Sequence, residues 1–318
     1  MSIMVRTATS VEMKKNKSII RKMYSRKQFD ENMLEVNWRA ARKLSNLSYR
    51  FFPREDGVKG YRVRIGGTVS ELSLPDNVKE GAVILYIHGG GFVSGSASAS
   101  RSYASVLAKY TGYRVISAEY RLSPENKYPD ALEDCYSILR VIRKKYPDYK
   151  VIIAGESAGG NMSIALALKA RDRGRRSIAA VIAHSPLADL TGSLDRSEHE
   201  IRDFTIVPGF EKPMREAYVG QRDAESPYIS PIFADFHGFP PIFITCDYNE
   251  TLFADAMTIY RKCVDAGVRA EVVQMKNAFH AFATMGTRTP ETEQILIDNA
   301  DFIDQCLGEI RFLKAKNA

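Results

Sequence analysis

From about residue 57 onward the chain alternates short apolar runs with amphipathic stretches, and that alternation restricts it to one broad class of folds. The runs fall at 61–65, 82–87, 114–118, 150–154, 179–183, 241–246 and 270–275. Helical periodicity occupies 99–110, 129–145, 158–173, 252–266 and 291–311. A run such as Val83-Ile84-Leu85-Tyr86-Ile87 carries no polar alternation, so it suits a strand covered on both faces. Strands that alternate with helices imply a mostly parallel sheet with right-handed crossovers. The expected architecture is therefore α/β, a parallel sheet flanked by helices.

Two segments stand outside this rhythm. Helical periodicity from Lys17 to about Ser45 ends in a Pro-containing stretch near Phe51–Asp56, and 190–222 is polar and irregular, with Pro208 and Pro213. We expect residues 1–50 and the insertion 190–222 to form a helical cap over a catalytic domain of residues 51–318. The first 50 residues hold 12 Lys/Arg against 4 Asp/Glu, whereas the remaining 33 basic and 34 acidic residues nearly cancel. The pI of 9.1 thus belongs to the N-terminal segment, which reads as a solvated helix face. No aromatic–basic interleaving suggests nucleic-acid binding. No apolar run reaches the roughly 20 residues of a membrane span, and residues 1–10 lack the apolar stretch of a secretory leader. Cys135, Cys246, Cys263 and Cys306 have neither CxxC nor metal-ligand spacing, so reduced thiols, no metal and a cytoplasmic location are expected.

Gly155-Glu156-Ser157-Ala158-Gly159 follows one expected strand and opens a helix. A GxSxG motif in that setting is a nucleophile elbow, a tight turn that small neighbours permit and that leaves the serine oxygen exposed. The alternative is a glycine-rich turn for phosphate, but neither a P-loop lysine nor GxGxxG accompanies it. His88-Gly89-Gly90-Gly91-Phe92 follows another strand, and its glycines let backbone N–H groups approach a substrate oxygen closely. His88 itself reads as a structural residue beside that loop.

A nucleophilic serine needs a base, and the base an orienting acid. Of the five histidines, His280 follows the last expected strand and comes after the serine in the order Ser…acid…His. His184 at a strand end reads as packed, His199 as a surface residue of the insertion, and His237 lies in a loop ahead of Pro240-Pro241. The acid should follow the strand at 241–246, which brings Asp247, Glu250 and Asp255 into range.

Taken together, His88–Phe92, Tyr120–Glu125, Pro129–Asp134, Gly155–Gly160, Ile229-Ser230-Pro231 and His280-Ala281-Phe282 resemble the hormone-sensitive-lipase-like esterases of the α/β-hydrolase superfamily. The resemblance covers about two thirds of the chain. It implies hydrolysis of short- to medium-chain carboxylic esters without a cofactor, and a small-molecule ester as the partner. A homo-oligomer is compatible with it. It also implies Ser157, His280 and Glu250 as the catalytic residues, since Glu250-Thr251-Leu252 stands where relatives carry Asp-Pro-Leu, 30 residues before His280. The oxyanion donors implied are Gly90, Ala158 and either Gly89 or Gly91. Two positions depart from the pattern: Glu156 replaces Asp or Thr, and Ala281 replaces Gly. Rival readings are a non-catalytic receptor, which would be expected to lack the histidine, and a lyase or peptidase on the same scaffold.

Overall fold

The computed structural model describes residues 1–25, 42, 53–174, 177–206, 209 and 211–316. Its centre is one nine-stranded sheet. In chain order the strands are β1 (Ser2–Thr7), β2 (Val58–Ile65), β3 (Thr68–Pro75), β4 (Ala82–Ile87), β5 (Arg114–Ala118), β6 (Lys150–Glu156), β7 (Ile178–His184), β8 (Ile242–Asp247) and β9 (Ala270–Lys276). They lie side by side as β1-β9-β8-β7-β6-β4-β5-β3-β2. Only the pairings of β3 with β2 and with β5 are antiparallel.

The longer helices are α1 (Val11–Ser25), α2 (Arg101–Thr111), α3 (Asp130–Lys145), α4 (Ala158–Asp172), then short α5 (Ser197–Glu200) and α6 (Glu211–Tyr218), α7 (Phe253–Asp265) and α8 (Pro290–Lys316). Side chains alternate across a strand, and the central strands use this to feed two cores. Val83, Leu85 and Ile87 of β4 join Ile153 and Val181 under α3, α4 and α7. Ala82, Ile84 and Tyr86 join Ile152 and Ile182 under α2 and α8. Both faces are therefore dry, which is why the central strands read as unbroken apolar runs. All four cysteines are buried and none is in a disulfide, and no described helix is long and apolar enough to cross a membrane.

The structure adds two strands that the apolar runs do not announce. β3 pairs with β2 through a two-residue turn in which Gly66 and Gly67 both take positive φ, 61° and 93°, as a tight hairpin of right-handed twist requires. Its sequence Thr-Val-Ser-Glu-Leu-Ser-Leu-Pro is half polar and does not stand out. The other is β1, which runs parallel to β9 in register from Ser2 against Glu271 to Thr7 against Lys276. The expected cap segment 1–50 is thus divided. Its first residues extend the sheet, with Met4 against the core and an ion pair between Arg6 and Asp298. The helix that follows starts at Val11 rather than Lys17, because Ser10 Oγ accepts the Met13 N–H at 3.0 Å and caps it. The expected continuation to Ser45 falls largely outside the described residues.

The insertion 190–222 contains α5 and α6 and is fastened by a buried ion pair. Asp255 in the first turn of α7 takes Arg196 Nε at 2.7 Å and Nη2 at 2.6 Å, and also the amides of Ala188 and Asp189. Asp255, in range as a candidate acid by sequence, is fully engaged in holding this loop.

Candidate active site

In a parallel sheet, loops at the carboxyl ends of neighbouring strands meet along one edge, and sites form there. β4, β6, β8 and β9 end side by side or one strand apart, and the glycine loop, the serine turn, the candidate acids and His280 each follow one of those ends.

Ser157 follows β6 directly and has φ 55° and ψ −121°. An L-residue holds such a conformation only when its surroundings impose it. Here the Ser157 N–H donates to His184 O at 2.9 Å, and its carbonyl accepts from Asn161 and Leu187. A Cβ on Gly155 would come within 2.5 Å of Gly159 O, and one on Gly159 within 2.0 Å of Ile87 O. The turn closes only because both positions are glycine. α4 starts at Ala158, so its N-terminal amides and the positive end of its dipole lie beside the serine.

The loop after β4 turns through Gly90, Gly91 and Phe92, all at positive φ. The Gly90 carbonyl accepts from Val93 N at 3.1 Å and from Ser94 N and Oγ at 2.9 Å, which folds the loop on itself. The Gly89 N–H donates to Glu156 Oε1 at 2.6 Å. That contact removes Gly89 from the expected set of oxyanion donors, because its only proton is already committed. Gly90, Gly91 and Ala158 are left. The loop is held from outside as well: Phe92 stacks on Tyr218 of α6 at 3.7 Å. Arg42 donates to the carbonyls of Val93 and Ser123 and pairs with the Glu125 carboxylate at 2.8 Å. His88 has the structural role expected of it. It stacks on Tyr120 at 4.2 Å, and burial lowers its pKa to about 4, so it stays neutral.

His280 leaves β9 four residues after Lys276, and its Nδ1 lies 2.7 Å from Glu250 Oε2. Glu250 is fully buried, and 13% of the His280 side chain is exposed. Burial pushes the Glu250 carboxyl up to about 7, against the opposing bond and charge of His280. Burial also works against a charged imidazole, but the bond and charge of Glu250 outweigh it and hold His280 above its usual value. With the acid ionised, Nδ1 carries the shared proton and Nε2 is left as the acceptor.

Of the two carboxylates the sequence leaves open, Asp247 serves the backbone. Its Oδ1 accepts from Ala278 N at 2.9 Å and its Oδ2 from Asn249 N at 3.1 Å, tying the β8 and β9 loops together. Glu250 Oε1 accepts the Asp247 N–H at 3.1 Å, which aims its other oxygen at His280. Ala281 has φ 56°, the left-handed region that glycine occupies without strain. Its N–H donates to Ser185 Oγ at 3.0 Å. His184 is packed as expected, between Tyr103 Oη at 2.8 Å and Thr245 Oγ1 at 2.9 Å. Sequence reasoning did not find Arg42, Ser185 or Tyr86, and Glu156 registered only as a departure from pattern. Among the described residues no group of three or more His, Cys, Asp or Glu side chains is arranged to hold a metal.

Comparison with known proteins gives the family. A family model described as alpha/beta hydrolase fold matches residues 84–284. An acetyl-hydrolase of Streptomyces hygroscopicus is 28% identical over 249 residues, 78% of this chain and 83% of the relative. An esterase of Acinetobacter venetianus is 28% identical over 268 residues, 83% of this chain and 88% of the relative. A crystal structure of a hormone-sensitive lipase from a metagenome library superposes with a TM-score of 0.86 at 30% identity, covering 94% of this chain and 99% of that one. The chain belongs to the α/β-hydrolase superfamily. Within it the protein is a hormone-sensitive-lipase-like carboxylic ester hydrolase.

Proposed function

We propose that the protein hydrolyses short- to medium-chain carboxylic esters through Ser157, His280 and Glu250, by way of an acyl-enzyme. Ser157 Oγ attacks the ester carbonyl carbon while its proton passes to His280 Nε2. The carbonyl electron pair moves onto oxygen, which the N–H groups of Gly90, Gly91 and Ala158 receive. Collapse of this intermediate breaks the bond to the alkoxide, which leaves with the proton from His280. Water then attacks the acyl group on Ser157, again giving its proton to His280, and His280 returns that proton to Ser157 Oγ as the serine–acyl bond breaks and the carboxylic acid departs. Glu250 holds the imidazole in the useful tautomer and offsets its transient charge. Loss of one oxyanion donor typically costs 10²–10³ in turnover. In this reading the insertion 190–222 and part of the N-terminal segment cover the acyl group, an arrangement the Tyr218–Phe92 stack and the Arg42 contacts favour.

The observation that carries the reading is the 2.7 Å contact of His280 with buried Glu250, at the same sheet edge as the strained Ser157. The test is turnover of p-nitrophenyl esters from acetate to decanoate by the wild type and by Ser157→Ala. We expect the best rates at short to medium chains and a loss of several orders of magnitude in the folded variant. No turnover by the wild type would favour a receptor, and activity that survives in Ser157→Ala would overturn the serine mechanism.

A further inference from the structure

Glu156 is the residue immediately before the serine, and its carboxylate is held by groups from β4 and the loop after it. One oxygen accepts the Gly89 N–H at 2.6 Å and the other accepts the Tyr86 hydroxyl. A single side chain thus joins the end of β6, the end of β4 and the glycine loop. The loop rests closely on this support. A Cβ on Gly89 would lie 2.8 Å from Glu156 O, 3.1 Å from Ser157 Cβ and 3.2 Å from Glu156 Cγ. Gly89 also precedes Gly90, so the orientation of its peptide plane fixes where the next N–H points.

We propose that Glu156 is a positioning residue for the oxyanion loop, and that its ionised form, bridging Tyr86 and Gly89, is required for full turnover alongside a neutral His280. This rests on the esterase reading above and deepens it. Both partners donate to the carboxylate, and Gly89 N–H can do nothing else. Bonds to an ionised acceptor are roughly twice as strong as neutral ones. Protonation turns one oxygen into a donor and weakens the grip on Gly89, so Gly90 and Gly91 lose their fixed orientation.

The surroundings put this change near neutrality. Burial pushes the Glu156 carboxyl up to about 7, opposed by the bonds from Tyr86 and Gly89, its own backbone amide and the charge of His280. Among the described residues, Tyr86 from β4, Tyr103 from α2, Tyr120 from the loop after β5, and His280 face it. Burial pushes the Tyr103 and Tyr120 hydroxyls far above neutral, leaving the His280–Glu250 pair, which shares one proton, as the other site that titrates in the same range. The coupling is mutual, since the Glu156 charge helps hold His280 above its usual value.

The experiment is kcat/KM against pH, from 5 to 9, for the wild type, Glu156→Gln, Tyr86→Phe and Glu156→Asp with one p-nitrophenyl ester. Two protons should govern the wild-type acid limb, whose log–log slope approaches two. Glu156→Gln keeps the shape but does not titrate, so its limb should have slope one and move to lower pH. Tyr86→Phe removes a bond that favours the carboxylate, so its limb should move to higher pH. Glu156→Asp keeps a carboxylate and should keep the two-proton limb, which tests the idea even if the amide variant folds poorly. Coincident limbs, or Glu156→Gln and Tyr86→Phe moving the same way, overturn the proposal. A wild-type activity indifferent to Ser157→Ala fails the esterase reading instead, so the two failures are distinguishable.

Discussion

At the scale of single residues, the site separates two carboxylates that the sequence left side by side. Glu250 faces His280, whereas Asp247 receives two backbone amides and is pushed up to about 6 chiefly by burial. Glu250→Gln should keep the shape yet favour the wrong imidazole tautomer. A comparable change in a serine protease lowers turnover about 10⁴-fold, and a loss of at least about 10²-fold is expected here. Asp247→Asn should mainly lower the melting temperature. Measuring kcat and Tm for both decides it, and the reverse pattern would exchange their roles. Because only the neutral imidazole accepts the serine proton, activity should disappear as pH falls through the His280 titration, whose midpoint lies above the ordinary 6.5. The elbow was legible because Gly155 and Gly159 have a steric reason to stand where they do. The second task of Glu156 was not, since Gly89 lies 67 positions away and nothing local marks the contact.

At the scale of elements, the central strands were legible because two-sided burial demands uninterrupted apolar runs. β1 escaped because an edge strand needs apolar residues on one side at most, and β3, paired on both sides, because several of its buried positions are polar, Ser70, Glu71 and Ser73. Ile3 and Val5 of β1 are half exposed, at 50% and 57%. Short-range periodicity also says nothing about which loops touch. Arg42, in the otherwise basic N-terminal segment, bonds carbonyls at the ends of two loops, Val93 after β4 and Ser123 after β5. Charge-assisted bonds of this kind contribute about 1.5–3 kcal/mol. Arg42→Ala should therefore lower Tm as well as kcat, the latter at least about tenfold, and Arg42→Lys should recover part of both losses. An Arg42→Ala enzyme with wild-type kcat would mean that the loop keeps its shape without this support.

At the scale of the whole molecule, the sheet is finished by a piece of chain from its far end. Deleting residues 1–8 would leave the N–H and C=O groups along one side of β9 bare, a template for pairing with other chains. It would also remove the amides of β1 from the ladder and Met4 from the core. The variant should melt at lower temperature, by about 1.5 °C for each kcal/mol lost, and scatter more light on warming. An unchanged Tm would show that β1 adds nothing to the sheet. The same pairing has a consequence in time. Ser2 and its partner Glu271 are 269 positions apart. At a synthesis rate of about 5–20 residues per second, roughly 15–50 s separate their appearance at the ribosome. Throughout that interval the earliest strand has no seat, and any nascent chain stalled before residue 270 carries it loose. The strand that completes the sheet is among the first made and, of all nine, waits longest for its neighbour.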